Sequence, residues 1–205
     1  MIMKKYLLML PIMLYPYLYI IIAFCSGYLM DYIPDAIAKR IYIFDPFNAI
    51  CYAVIVHGFV LMSLIFFLVW TIKGTYTASR LAKITMITKL VQIPAFIMHF
   101  VLGSLGLLAS VWGIGVILWA IIIDLLTVSQ TGLLGIFTCI RAAKEKSLSK
   151  KEAVVFAICN CIYVVDVVIA VIDFFLIRSA EKRQGDIPAA TSNPASEPQS
   201  QILLQ

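Results

Sequence analysis

Four ionisable residues stand deep inside apolar runs of this 205-residue chain: His57, His99, Asp124 and Asp166. The stretch IIIDLLTVSQTG, residues 121–132, presents the anomaly best, because Asp124 interrupts sequence that otherwise suits hydrocarbon. Imidazole and carboxylate can share hydrogen bonds, exchange a proton near neutral pH or hold a cation. A charge at the centre of a bilayer costs ~2.5 to 3.5 kcal/mol on insertion scales, so four isolated groups are unfavourable. Meeting inside a helix bundle lowers that cost. The expectation is one intramembrane polar cluster of His57, His99, Asp124 and Asp166.

The neighbours of these residues fall on helical faces. Thr127, Thr131, Gly135 and Thr138 follow Asp124 at offsets of 3, 7, 11 and 14, which is one face of a helix. Gln92, His99, Gly103 and Gly106 share another, with Pro94 placed to kink it, and Tyr163, Asp166, Ala170 and Asp173 a third. Thr127, Thr131, Gln92, Tyr163 and Asp173 are the expected polar support. Proton, ion or solute coupling needs only titratable groups in a wet cavity. The bland alternative is that each group hydrogen-bonds a neighbouring helix and fixes packing, for about 0.6 kcal/mol.

Two histidines and two carboxylates also form a donor set acceptable to zinc, manganese or iron, but no HExxH or comparable spacing accompanies them, so neither metal nor cofactor is expected. Two membrane aspartates on adjacent spans resemble intramembrane aspartyl proteases. WAIIID, ending at Asp124, lacks the glycines that precede the second catalytic aspartate of that family. Ser104, Ser129 and the cysteines have no paired base in sequence, and no glycine-rich phosphate loop is present. An enzyme is not indicated.

The elements that must position these residues follow from composition. The chain is 62% hydrophobic and 13% charged, with a mean hydropathy of +0.99. One soluble core cannot absorb that much apolar surface, and the reading is an all-α, polytopic integral membrane helix bundle. A span needs ~20 apolar residues. Five segments qualify: 6–30, 47–72, 86–108, 112–138 and 153–177. Residues 1–178 form the transmembrane domain. Residues 86–138 as one helix would be ~80 Å long, so a tight glycine-containing turn must divide them. Counted at 1.5 Å per residue, the four ionisable groups lie about 14 to 18 Å from the outer ends of their spans. Span 1 also has the basic start of a signal peptide, but its length, Pro11, Pro16 and tyrosines favour retention.

Basic residues collect on the cytoplasmic side. With the N-terminus inside, eleven lie there: Lys4, Lys5, Lys73, Arg80, Lys83, Lys89, Arg141, Lys144, Lys146, Lys150 and Lys151. Lys39, Arg40, Arg178, Lys182 and Arg183 are the five outside. The net charge of +5 therefore reflects topology, and no nucleic-acid partner is implied. Arg80, Lys83 and Lys89 are expected to snorkel to headgroups at the start of span 3. Residues 31–48 read as a short surface helix, Ser149 as an N-cap three residues before Glu152, and 179–205 as a disordered tail rich in Pro, Ser, Ala and Gln. The cysteines form no disulfide framework. Cys25 and Cys51 could pair in an oxidising compartment, with apolar free thiols the default.

KITMITKLVQIPAFIMHFVLG, residues 83–103, and CIYVVDVVIAVIDFF, residues 161–175, resemble segments of small uncharacterised multi-pass membrane proteins of bacteria. The resemblance covers about a third of the chain. It implies the bacterial cytoplasmic membrane and carries no activity. Two functions remain open. One is a small proton-, ion- or solute-coupled transport or sensing component, working as a homo-oligomer or with a partner membrane protein. The other is a non-transporting accessory or immunity-like subunit that binds partner membrane proteins.

Overall fold

Backbone groups that water cannot reach must be paired within their own segment, and the apolar runs meet that demand as helices. The computed structural model describes residues 7–29, 32, 34, 46–73, 76–108 and 111–185, with six helices and no strand among them. They are α1 Leu10–Leu29, α2 Pro46–Ile72, α3 Ala78–Leu108, α4 Val111–Lys144, α5 Lys150–Cys159 and α6 Val165–Gly185. Three are long and apolar enough to cross a membrane: Ile50–Ile72 within α2, all of α3, and Gly113–Lys144 within α4. The surface helix expected over 31–48 lies almost wholly outside the described residues, as does the chain beyond 185.

α3 and α4 make the most extensive helix pair. Ala78, Leu81, Thr85, Thr88, Gln92, Ala95, His99 and Gly106 are buried on α3. Their steps are mostly of three and four, the spacing that keeps one stripe against a neighbour. Thr127, Thr131, Leu134, Thr138 and Ala142 answer on α4. Thr85 Oγ1 lies 2.9 Å from Thr138 Oγ1, so the helices run antiparallel. Near their junction a Cβ on Gly113 would overlap the Gly106 carbonyl, a backbone approach that only glycine permits.

α2 turns Val60, Ser63, Leu64, Phe67 and Thr71 inward and Val54, Ile55, Phe59, Met62 and Phe66 outward. α1 packs on it antiparallel, with Ser63 Oγ donating to the Leu8 carbonyl at 2.8 Å and Tyr15 facing His57. Gln92 Nε2 donates to the Ile12 carbonyl at 2.8 Å and ties α1 to α3. The interior combines two apolar core clusters with buried threonines, amides and charges, and large apolar side chains also cover the outer face.

Residues 153–177, expected as one continuous span, form a hairpin instead. α5 ends at Cys159 with Asn160 as its C-cap, and Val164 takes φ 70°, left-handed backbone that reverses the chain. Asn160 Nδ2 donates to Asp173 Oδ2 at 2.9 Å. A continuous helix would hold these residues about 20 Å apart. Leu148 and Ala153 share one core cluster with Phe174 and Ile177 of α6, with Ala78 and Ala82 at the start of α3, and with Ala142 near the end of α4. α6 therefore returns to the end of the bundle from which α5 departs.

That shared end is well capped. The side chain of Ser149 accepts from the Glu152 backbone N–H and the Glu152 side chain accepts from the Ser149 N–H, the expected N-cap. Glu145 accepts from the Ala78 N–H at 2.8 Å and from Arg141 Nε at 2.6 Å, placing its charge at the positive end of α3. α6 runs to Gly185, beyond residue 179 where a disordered tail was expected. Glu181, Lys182 and Arg183 are good helix formers, and the two cations suit the last turn.

Candidate functional site

The hairpin tip seats against α3 and α4 because α4 carries glycine there. A Cβ on Gly135 would lie 2.5 Å from Asn160 Oδ1, and one on Gly132 would lie 3.2 Å from the Asn160 carbonyl. Asn160 thus reaches the centre of the bundle, where Lys89 meets it. The Lys89 side chain is 1% exposed and its Nζ lies 3.1 Å from Asp166 Oδ2. Nζ also donates to Asn160 Oδ1 at 2.9 Å and approaches the backbone carbonyls of Asn160 and Asp166 at 3.2 and 3.3 Å. An ammonium has three protons, so four surrounding oxygens enclose it much as they would a free cation. The carbonyl of Asn160 belongs to the C-terminal, negative end of α5, which adds to the attraction.

Asp173 lies beside this group. Its Oδ2 accepts from Asn160 Nδ2 at 2.9 Å and from Cys139 Sγ at 3.7 Å, while its buried Oδ1 has no hydrogen-bond partner. A polar set of one lysine, two aspartates, one amide and one thiol therefore occupies the junction of α3, α4, α5 and α6.

Nearer the far end, His99 Nδ1 lies 2.6 Å from Asp124 Oδ1, and Tyr163 in the hairpin turn donates to Asp124 Oδ2 at 3.1 Å. Phe96 stacks edge-on against Tyr163 with ring centroids 5.6 Å apart. His99, Asp124 and Tyr163 line a cavity of about 480 Å³. His57 belongs to a third set: Tyr15 Oη lies 3.1 Å and Gln130 Nε2 3.0 Å from its Nδ1, with Tyr19 donating onward to Tyr15 at 3.3 Å.

The four residues expected in one cluster are thus distributed over three sets of partners. His99 and Asp124 pair directly, whereas Asp166 goes to Lys89 and His57 to Tyr15 and Gln130. Tyr163 and Asp173 each join one of these sets. Thr127 and Thr131 instead bond back to carbonyls of their own helix, at Ile123 and Thr127, and Gln92 serves the α1 contact. The division has a physical cause: each set is compact, hydrogen-bonded and supplied by amides, tyrosines or a lysine that the count of histidines and aspartates left out.

Lys89 is the largest of those omissions. Expected to snorkel outward, it is turned inward and paired, because Asp166 and the opened backbone of the hairpin offer it oxygens within the bundle. Asn160, Cys139, Gln130 and Tyr15 were missed as well. For Lys89 a signal existed, since it flanks the polar stripe of Thr85, Thr88 and Gln92. All five cysteines, Cys25, Cys51, Cys139, Cys159 and Cys161, are free thiols. Among the described residues no group of three or more His, Cys, Asp or Glu side chains is placed to hold a metal ion. Comparison of the chain with family models, with curated proteins and with solved structures finds no match.

Proposed function

We propose that the chain is a multi-pass protein of the bacterial cytoplasmic membrane in which α1 to α4 cross the bilayer, α5 and α6 form a re-entrant hairpin, and both chain ends are cytoplasmic. Within it, Lys89 and the hairpin tip are the working part of a small proton-, ion- or solute-coupled transport or sensing component. The observation that carries this reading is the Lys89 ammonium enclosed by Asp166, Asn160 and two carbonyls at a helix interruption. Irregular backbone at membrane depth is tolerated only where protein buries it or where it lines a water-filled cavity. Transporters set coupling cations on unwound backbone and on the C-terminal ends of half-helices, the position this ammonium takes. Movement of the lysine, or of a proton between it and Asp166, changes what holds the two half-helices together.

The charge distribution supports the four-crossing reading. With the hairpin returning, Arg178, Lys182 and Arg183 join the basic loops at the cytoplasmic end, and only Lys39 and Arg40 of the sixteen basic residues stay outside.

The test is reconstitution into liposomes that enclose a pH-sensitive dye, with an imposed proton or sodium gradient. Wild-type protein is expected to dissipate the gradient, and Lys89→Gln and Asp166→Asn variants that still insert should slow it roughly tenfold or more. Equal dissipation by all three would reduce the ion pair to a stitch between helices, and no dissipation by wild-type protein would leave the accessory-subunit role.

A further inference from the structure

The end of the bundle at which α3 begins and α6 finishes carries one arrangement twice. On α3, Arg80, Lys83, Ile87 and Leu90 follow at steps of three, four and three, which keeps them on one helical face, and all four are exposed. On α6, Lys182, Arg178, Phe175, Ile172 and Val168 run down one face at steps of four and three, and all five are exposed. The two sets of cations stand at one level, because Ala78 and Ala82 of α3 share a core cluster with Phe174 and Ile177 of α6. Arg178 is held there, its guanidinium carbon 5.6 Å from the centre of the Phe174 ring.

Each face therefore ends in two cations one helical turn apart, above a strip of uncovered hydrocarbon. Like charges at that spacing repel. Among the described residues no acid forms an ion pair with any of the four, and Glu181 forms none either. The other acids of this end, Glu145 and Glu152, are engaged at the starts of α3 and α5. The geometry points to an anionic phospholipid as the occupant of each face, its phosphate between the paired cations and an acyl chain along the apolar strip. The phosphate relieves the repulsion of Arg80 with Lys83 and of Arg178 with Lys182. Other partners satisfy only half of the arrangement. A nucleic acid or an acidic peptide meets the cations and leaves Ile87, Leu90, Phe175 and Ile172 bare. A zwitterionic phospholipid covers the strip but brings a cation of its own to the pair.

The inference rests on a bilayer location and needs no proton coupling. It is tested by native mass spectrometry of the full chain released from detergent, titrated with phosphatidylglycerol or phosphatidylcholine of identical chains. Phosphatidylglycerol should bind roughly tenfold more tightly or better. Replacing Arg80, Lys83, Arg178 and Lys182 together by Gln should bring its affinity to within about twofold of phosphatidylcholine. All four are exposed, so their loss spares the core. The control is Lys73, Lys144, Lys150 and Lys151 together replaced by Gln, which removes the same charge from exposed cations that are not stacked in pairs on a helical face. It should keep most of the preference. Equal affinity for the two lipids, a preference that survives the first set of substitutions, or equal losses in both sets overturns the proposal, the last by reducing the attraction to net charge. Displacement of the lipid by an equal concentration of glycerol 3-phosphate would also overturn it, since the acyl chain would then contribute nothing. Lipid binding is read without a gradient, so failure here leaves the coupling reading untouched, and the reverse also holds.

Discussion

A lysine inside an apolar bundle is stable only in company. Removing Lys89 as Lys89→Met strands the Asp166 carboxylate, and truncating one partner of a buried ion pair is expected to lose about 3–5 kcal/mol. Removing both charges, as Lys89→Met with Asp166→Leu, should recover most of that loss. Unfolding in mixed detergent micelles reads the comparison, and equal losses in the single and double variants would mean that the pair is not coupled. At this scale the sequence was partly readable. His99, Asp124 and Asp166 were recognised because acids and imidazoles stand out in hydrocarbon-like sequence. Lys89 passed as an ordinary flanking cation, because a lysine near the start of a span can extend to either side and composition does not say which. The partners of His57 were hidden for another reason: tyrosine and glutamine are too common near membrane surfaces to mark an interior bond.

At the scale of elements, the hairpin is the feature that sequence periodicity concealed. Its two arms are apolar and together match the length of one crossing, and no glycine or proline marks the turn at 160–164. The tertiary bonds of Asn160, the left-handed backbone at Val164 and the packing of Ala153 with Phe174 and Ile177 distinguish a folded-back pair from a straight rod. By contrast the start of α5 was legible, since Ser149 and Glu152 stand at the spacing that a capping box requires. Gly135→Ala should unseat the tip, because the added methyl lies 2.5 Å from Asn160, at an expected loss of about 1–3 kcal/mol. Gly58→Ala, where nothing lies within 4 Å, should be neutral or gain up to about 1 kcal/mol. Thermal unfolding in detergent compares the two, and similar behaviour would argue against the close seat. The cap also sets a pH dependence. Hydrogen bonds from the Ser149 side chain, then from its backbone N–H, hold the Glu152 carboxyl below the usual range. Its contribution is therefore present above the ordinary glutamate pKa and is lost as pH falls through the lowered value. Glu152→Gln should flatten that acid-side decline, read as the unfolding midpoint against pH.

At the scale of the whole molecule, three long apolar helices and an outer face covered by large apolar side chains agree with the composition, and the all-helical class was legible from it. The number of crossings was not, because hydropathy records where apolar residues are and not whether the chain turns among them. A cysteine introduced at Arg183 discriminates the two topologies. A membrane-impermeant maleimide should label it only from the cytoplasmic side, together with a control cysteine at Lys151. Labelling from the outside would restore five crossings.

The return of α6 to its starting end also bears on how the chain is made. On the proposed re-entrant topology, a segment that enters and leaves through one face need not drag its charged end through hydrocarbon, so Arg178, Glu181, Lys182 and Arg183 would stay in water throughout synthesis. The last two helices can then wait until α3 and α4 have come together and close the assembly as a plug, held in place once the ammonium of Lys89 finds its oxygens.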